Sequence, residues 1–183
     1  MDQELEKILQ KEQDRQKNSA VFIASENYAS ESVRKYTSSI LTNKYAEGYP
    51  GARYYAGCEY VDQVENLAID RGKHIFGSNH INVQPHSGSQ ANMAAYISLL
   101  SPGDKILSLS LDHGGHLSHG HNVNFSGKIY EIHNYFLDKE SEMIDFDALQ
   151  KIADNVQPKL IICGFSAYSR TIDFIRFKQI AES

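Results

Sequence analysis

Hydrophobic positions along this chain change their spacing several times, and the changes mark out the elements. Asp2–Gln16 is strongly polar with a thin apolar stripe at Leu5, Ile8 and Leu9, which predicts an N-terminal helix that must pack on the rest of the protein or on a partner. Phe22–Ala24 is a short apolar run, and 25–57 is dense in Tyr, Gly, Asn and Ser, a loop too aromatic to be a solvated linker. Within it, Ser25 is a possible cap for a helix over Tyr28–Ser39. Val61, Val64, Leu67, Ala68, Ile75 and Phe76 then follow helical spacing, with Gly77 as the C-terminal cap.

Ile81–Gln84 reads as a strand halted by Pro85, and Ala91–Leu100 as a helix. Strands are predicted over Lys105–Leu109, Lys128–Ile132 and Leu160–Cys163, the last apolar throughout in the manner of a buried parallel strand. Asp145–Val156 is an amphipathic helix stopped by Pro158, and a last helix starts at Asp173. Helices alternating with short strands predict an α/β fold with a mainly parallel sheet, flanked by helices and preceded by a helical arm. Ligands gather at the carboxyl ends of such strands, so loops 85–90, 110–121 and 164–171 are expected on one rim.

Composition adds little beyond a frame. The 183 residues, 41% hydrophobic and 22% charged, suit one globular domain by length. A net charge of −5 without a basic stripe argues against nucleic acid or an anionic membrane as the main partner. Cys58 and Cys163 are far apart and predict small buried hydrophobes in a reducing compartment. Met1–Lys17 has no apolar core of a secretory signal and is too acidic for a transit peptide, and no apolar run reaches membrane-span length. The cytoplasm is the expected location.

Candidate chemistry collects in three main places and two lesser ones. Ser87-Gly88-Ser89 stands at a helix start, where unpaired N–H groups favour an anion, although the same tripeptide serves equally as an ordinary cap. Asp112–His121 holds four of the eight histidines. Gly114-Gly115 breaks any helix that would gather them, so no metal is expected; a ring stacked or hydrogen-bonded in a pocket and a set of solvated loop histidines both remain open. Tyr45, Glu47, Tyr49, Tyr54 and Tyr55, with Arg53, offer an acid/base carboxylate beside flat aromatic walls, or equally an interface loop. Ser25-Glu26-Asn27 and Ser166–Ser169 are weaker signals. No Gly-x-Ser-x-Gly or His-Glu-x-x-His segment exists, which removes the commonest hydrolase readings.

In order along the chain, Ile23–Tyr28, Leu41–Gly51, Arg53-Tyr54-Tyr55, Gly57–Asp62, Asn82–Asn92, His113–Leu117 and Gly164–Tyr168 resemble serine hydroxymethyltransferase, a pyridoxal-phosphate enzyme of the aspartate-aminotransferase fold type. The resemblance runs almost end to end. It implies that 1–57 form an arm and active-site loop and that 58–183 form the first part of the cofactor-binding large domain. Ser87, Gly88 and Ser89 would hold the cofactor phosphate, His116 would stack on its ring, and Ser166 and Tyr45 would also reach the cofactor. Ser25 would bind the amino-acid carboxylate. Tyr45, Glu47, Tyr54 and Tyr55 would enter the neighbouring subunit's site, Glu47 moving a proton near the serine hydroxyl and folate. Leu111, Gly115 and Leu117, with His116, would line the folate pocket. By the resemblance Glu47, Tyr55 and His116 are the catalytic group.

The implied reaction interconverts serine plus tetrahydrofolate and glycine plus 5,10-methylenetetrahydrofolate, in a homodimer or higher homo-oligomer. The family's Schiff-base lysine, in a Thr-His-Lys setting, is expected beyond residue 183, since Lys44, Lys105, Lys128 and Lys159 lack that context. The chain is therefore expected to be the N-terminal portion, inactive alone, with a non-catalytic remnant that keeps dimer surfaces and part of the phosphate loop as the alternative.

Overall fold

A computed structural model describes residues 2–183. Helix α1 (Gln3–Lys17) is capped by Asp2, whose carboxylate accepts from the Glu4 and Leu5 amides, and α2 (Glu31–Thr37) is capped by Ser30. The cap thus falls at Ser30 and not at Ser25, because Ser30 is the hydroxyl three residues before the Val33 amide that it accepts from. The Tyr-rich segment is more ordered than its composition predicts: β1 (Gly48–Tyr49) and β2 (Ala52–Arg53) form a small antiparallel hairpin around Pro50-Gly51. Helix α3 (Glu59–Phe76) follows and ends, as its spacing predicts, on left-handed Gly77.

Ile81–Gln84 is not a strand. Asn82 folds its side chain onto the Gln84 amide at 3.0 Å, a local turn that replaces sheet pairing. Helix α4 runs over Gly88–Leu99, three residues earlier than apolar spacing alone places its start, because Ser87 caps it.

The sheet has three parallel strands in the order β4-β3-β5. Central β3 (Lys105–Leu109) stands where its pattern places it and buries Ile106 through Leu109. Strand β4 (Glu131–Tyr135) is displaced from the expected 128–132, since Asn124 caps a short helix α5 (Phe125–Ile129) that consumes the start of that apolar run. Strand β5 is Leu160–Ile161, shorter than 160–163, although the Ile162 amide still donates to Leu107 O at 2.9 Å.

The two faces of β3 divide the core. Leu107 and Leu109 pack with Tyr135, Leu149, Ala153, Phe177 and Ile180, the last four from α6 (Phe146–Val156) and α7 (Phe174–Glu182). Ile106 packs on the other face with Tyr96 of α4 and Tyr130. This is the expected α/β arrangement with helices on both sides of a parallel sheet. Helices α1 and α3 bury no residue, and they leave Leu5, Ile8, Leu9, Leu67, Ile75 and Phe76 exposed. Among the described residues, no helix is long and apolar enough to cross a membrane. Cys58 is buried and Cys163 half-buried, both as free thiols.

Candidate functional site

Ser87 opens α4 with a hydroxyl that accepts from the Gln90 amide at 3.1 Å, while the Gln90 side chain returns to the His86 amide. This reciprocal arrangement is a capping box shifted by one residue. It leaves the Gly88 and Ser89 amides without an acceptor among the described residues, at the positive end of the helix. Space around Gly88 is open. The local physics of a cap and of an anion cradle therefore coexist, since the cap engages one amide and frees two.

Helix α4 also reaches the histidine segment. Asn92 Nδ2 donates to Ser118 Oγ at 2.7 Å, Tyr96 OH donates to Ser118 O at 3.0 Å, and Ser118 Oγ lies 2.8 Å from His116 Nδ1. Two short 3-10 turns, Leu111–His113 and Leu117–His119, carry His113 and His119; the second is capped by His116, and each is closed by a left-handed glycine, Gly114 and Gly120. Each histidine takes a separate environment. His113 Nδ1 accepts from the Leu137 amide at 3.0 Å. His119 lies with its ring 5.5 Å from that of His116, and burial, with the nearby His116, pulls its pKa down to about 4. Among the described residues no group of three or more His, Cys, Asp or Glu side chains could hold a metal ion.

Loops after β3 and β5 are locked together. The Gly114 carbonyl accepts from the Ser166 and Ala167 amides at 2.9 and 3.0 Å. A Cβ on Gly115 would meet Leu109 O at 2.3 Å, so only glycine lets the chain turn back over the end of β3. Between the loops following β3, β4 and β5 lies a cavity of about 520 Å³ that includes Leu111, Gly114 and Tyr168 in its wall. A smaller one of about 120 Å³ touches Leu111, His116, His119 and Asn134. Loops 110–121 and 164–171 thus share one rim, as expected of a parallel sheet. Loop 85–90 has no strand before it; α4 brings it to the histidine segment instead.

The Tyr-rich hairpin is held from beneath by Arg53. Its guanidinium donates to Asp62 at 2.8 Å and Glu65 at 2.6 Å, and to the carbonyls of Ala46 and Gly48 at 2.7 and 2.8 Å. Gln84 joins the same carboxylate and carbonyl, donating to Glu65 and Gly48 O at 2.8 Å each. Sequence reasoning did not single out Asp62, Glu65 or Gln84; the signal available was a lone arginine between tyrosines with two acids one helical turn apart. On this base Tyr45 and Tyr55 meet edge to face at 5.5 Å, and the Cys58 thiol lies 3.3 Å from Tyr55 O. Glu47, Tyr45 and Tyr54 face outward, Tyr54 with 79% of its surface exposed. Ser25 is exposed on the segment between α1 and α2, and no hydrogen bond joins its side chain to the His116 cluster. The structure therefore links α4 to His116 through Asn92 and Ser118, ties Ser166 to the Gly114 carbonyl of the same loop, and leaves Tyr45, Glu47, Tyr54 and Tyr55 exposed on the hairpin and its flanks.

Lysines near these features are engaged elsewhere: Lys105 Nζ on Val156 O at 3.1 Å, Lys159 on Asp104 at 2.9 Å and Lys44 on Tyr45 O at 2.8 Å. A helix start with two free amides, a histidine ring fixed from that same helix and a glycine-crossed strand end thus stand together in this chain, and its sequence has known relatives. The chain is 54% identical over 183 residues to a serine hydroxymethyltransferase of Halorubrum lacusprofundi, covering 100% of the chain and 44% of that relative. It is 57% identical over 179 residues to that of Malacoplasma penetrans (98% of the chain, 43% of the relative). A third, from onion yellows phytoplasma, is 57% identical over 181 residues, with 99% and 44% covered. The chain thus spans less than half the length of these curated relatives. The sequence model of the family described as serine hydroxymethyltransferase matches residues 1–183, and the chain belongs to that family.

Proposed function

We propose that this chain supplies the phosphate-binding and ring-binding half of a pyridoxal-phosphate site in a serine hydroxymethyltransferase, which interconverts serine plus tetrahydrofolate and glycine plus 5,10-methylenetetrahydrofolate. The observation that carries this reading is the single unit formed by α4 and His116. The helix whose start leaves the Gly88 and Ser89 amides free also fixes His116 through Asn92 and Ser118. A phosphate at the first and a flat ring beside the second would be held by one rigid element.

Ser87, Gly88 and Ser89 hold the phosphate in this reading, with the open space at Gly88 admitting it. His116 lies against the ring, and Ser166 and Tyr45 complete its surroundings. Bound pyridoxal phosphate supplies an electron sink for cleavage of the serine Cα–Cβ bond. The protein's own contribution is orientation and proton handling. Ser25 receives the amino-acid carboxylate, and Leu111, Gly115 and Leu117 border the folate.

Glu47, Tyr54 and Tyr55 are exposed, which suits side chains that complete the site of a neighbouring subunit. There the Glu47 carboxylate moves the serine hydroxyl proton. In this arrangement 1–57 act as arm and loop, 58–183 as the first part of the cofactor domain, and a homodimer in the cytoplasm is the working form. The Schiff-base lysine belongs, by resemblance, to the part of the relatives that lies beyond this match.

Calorimetric titration of the chain with pyridoxine 5′-phosphate and with pyridoxine tests the reading. Binding that requires the phosphate and weakens in Ser87→Ala is expected. Equal binding of the two compounds, or no binding, overturns it.

A further inference from the structure

The contacts around His116 decide which of its nitrogens carries the proton. The Ser118 backbone amide donates to His116 Nδ1 at 3.1 Å. An amide nitrogen always bears its hydrogen, so Nδ1 must present its lone pair. A proton on Nδ1 would instead set two N–H groups against each other. Ser118 Oγ, from a residue with no exposed surface, lies 2.8 Å from the same Nδ1. That hydroxyl accepts from Asn92 Nδ2 at 2.7 Å, which turns its own hydrogen toward the imidazole. Both donors converge on Nδ1, and only Nε2 is left for the ring proton.

We propose that Ser118, held by Asn92, fixes His116 as the neutral Nε2–H tautomer, so that it meets a bound ligand as a flat ring and hydrogen-bond donor and not as a base. The proposal rests on the reading that His116 faces the cofactor ring. Asn92 and Ser118 are positioning residues: neither touches the ligand, and each acts through the imidazole. Because Asn92 stands one turn into α4, the element that would receive the phosphate also sets the protonation pattern of the ring-facing histidine. The proton inventory of the site then loses one candidate, and base chemistry falls to a carboxylate such as Glu47.

The test is nitrogen NMR of the chain labelled with 15N-histidine, recorded above the histidine titration range, in solution or by magic-angle spinning where the chain associates. His116→Gln identifies the resonances. The expected result is one tautomer with the proton on Nε2 and an Nδ1 resonance displaced by hydrogen bonding. Ser118→Ala and Asn92→Ala should each move Nδ1 toward its unbonded value, and Ser118→Thr, which keeps the hydroxyl, should restore it. A proton on Nδ1 in the unsubstituted chain overturns the proposal, whatever the variants do. An Nδ1 resonance unmoved by both alanine substitutions overturns the role of the pair. Failure to bind pyridoxine 5′-phosphate would instead remove the cofactor reading and leave the tautomer result standing.

Discussion

Arg53 and Glu65 form a 2.6 Å ion pair with 5% and 13% of their side chains exposed, beneath a hairpin whose tyrosines face outward. Asp62 shares the same guanidinium and is also bonded to the Gly51 amide at 2.9 Å, so two acids of α3 clamp the turn and second strand of the hairpin, and Arg53 passes the hold to the first strand at Gly48 O. Arg53→Ala removes the cation from both carboxylates and leaves the Ala46 carbonyl without a donor, with Gln84 still on Glu65 and Gly48 O and the Gly51 amide still on Asp62. A loss of about 2–4 kcal/mol is expected, between the values for surface and buried pairs. Arg53→Lys should recover only part of it, lacking the planar fork. Urea denaturation of the three proteins measures this, and equal midpoints would refute it.

Acid should loosen the same hairpin. The Gly51 amide, followed by Arg53, holds the Asp62 carboxyl below the usual aspartate range. A group depressed in the folded state stabilises fully above its ordinary pKa, about 4, and that contribution is lost as pH falls toward the depressed value. Amide exchange in 48–53 should therefore accelerate below about pH 4, and Asp62→Asn should weaken the hairpin at neutral pH while flattening this dependence.

His119 predicts a second dependence in a higher window. Its pKa is lowered to about 4 by burial and the neighbouring His116. Between the ordinary histidine value near 6.5 and that lowered value the unfolded chain takes up a proton and the folded chain does not, so stability falls as pH falls. The slope of stability against pH in this window should be shallower by up to one proton in His119→Gln. Parallel curves for the two proteins would refute the assignment.

Gly115→Ala places a methyl 2.3 Å from Leu109 O and 2.9 Å from Ser110 O. Neither is a flexible side-chain end, so the loop after β3 must shift and carry His116 with it. The expected outcome is a lowered melting temperature together with loss of pyridoxine 5′-phosphate binding. Gly88→Ala, with open space at its Cβ, is the comparison, and its stability should be nearly unchanged.

Self-association is the fifth expectation. Exposed Leu5, Ile8 and Leu9 on α1, Leu67, Ile75 and Phe76 on α3, and Ile97 and Leu99 on α4 leave apolar faces without a partner. Light scattering after size exclusion should show dimers or larger species, reduced by Ile8→Glu or Leu67→Glu. A monodisperse monomer would refute this.

Several elements were legible in the sequence because pattern and environment agree. Lys105–Leu109 is apolar, short and bounded by Pro-Gly and polar loops, and it is the buried central strand. Asp145–Val156 shows one apolar stripe, and it covers the sheet. Elsewhere local side-chain bonds overrode the pattern. Asn124 captured the start of the apolar run at 125–129 for a helix, and Asn82 folded 81–84 into a turn. Ser87 was legible as a cap, and it caps α4, because a hydroxyl three residues before an unpaired amide is what a helix start needs. The Asn92–Ser118–His116 chain was not legible, since nothing in spacing places residue 92 against residue 118. The Arg53 clamp likewise depends on a hairpin that composition alone presents as loop.

Apart from Cys58, every hydrophobic side chain of the core belongs to Tyr96 or a later residue. On the ribosome, where chains emerge at about 5–20 residues per second, α1 through α3 therefore appear seconds before the sheet and its core exist. For that interval the exposed apolar residues of α1 and α3 stand in water with no folded core beside them. Substitutions that leave the finished protein untouched can still lower its yield in the cell if they slow the arrival of β3.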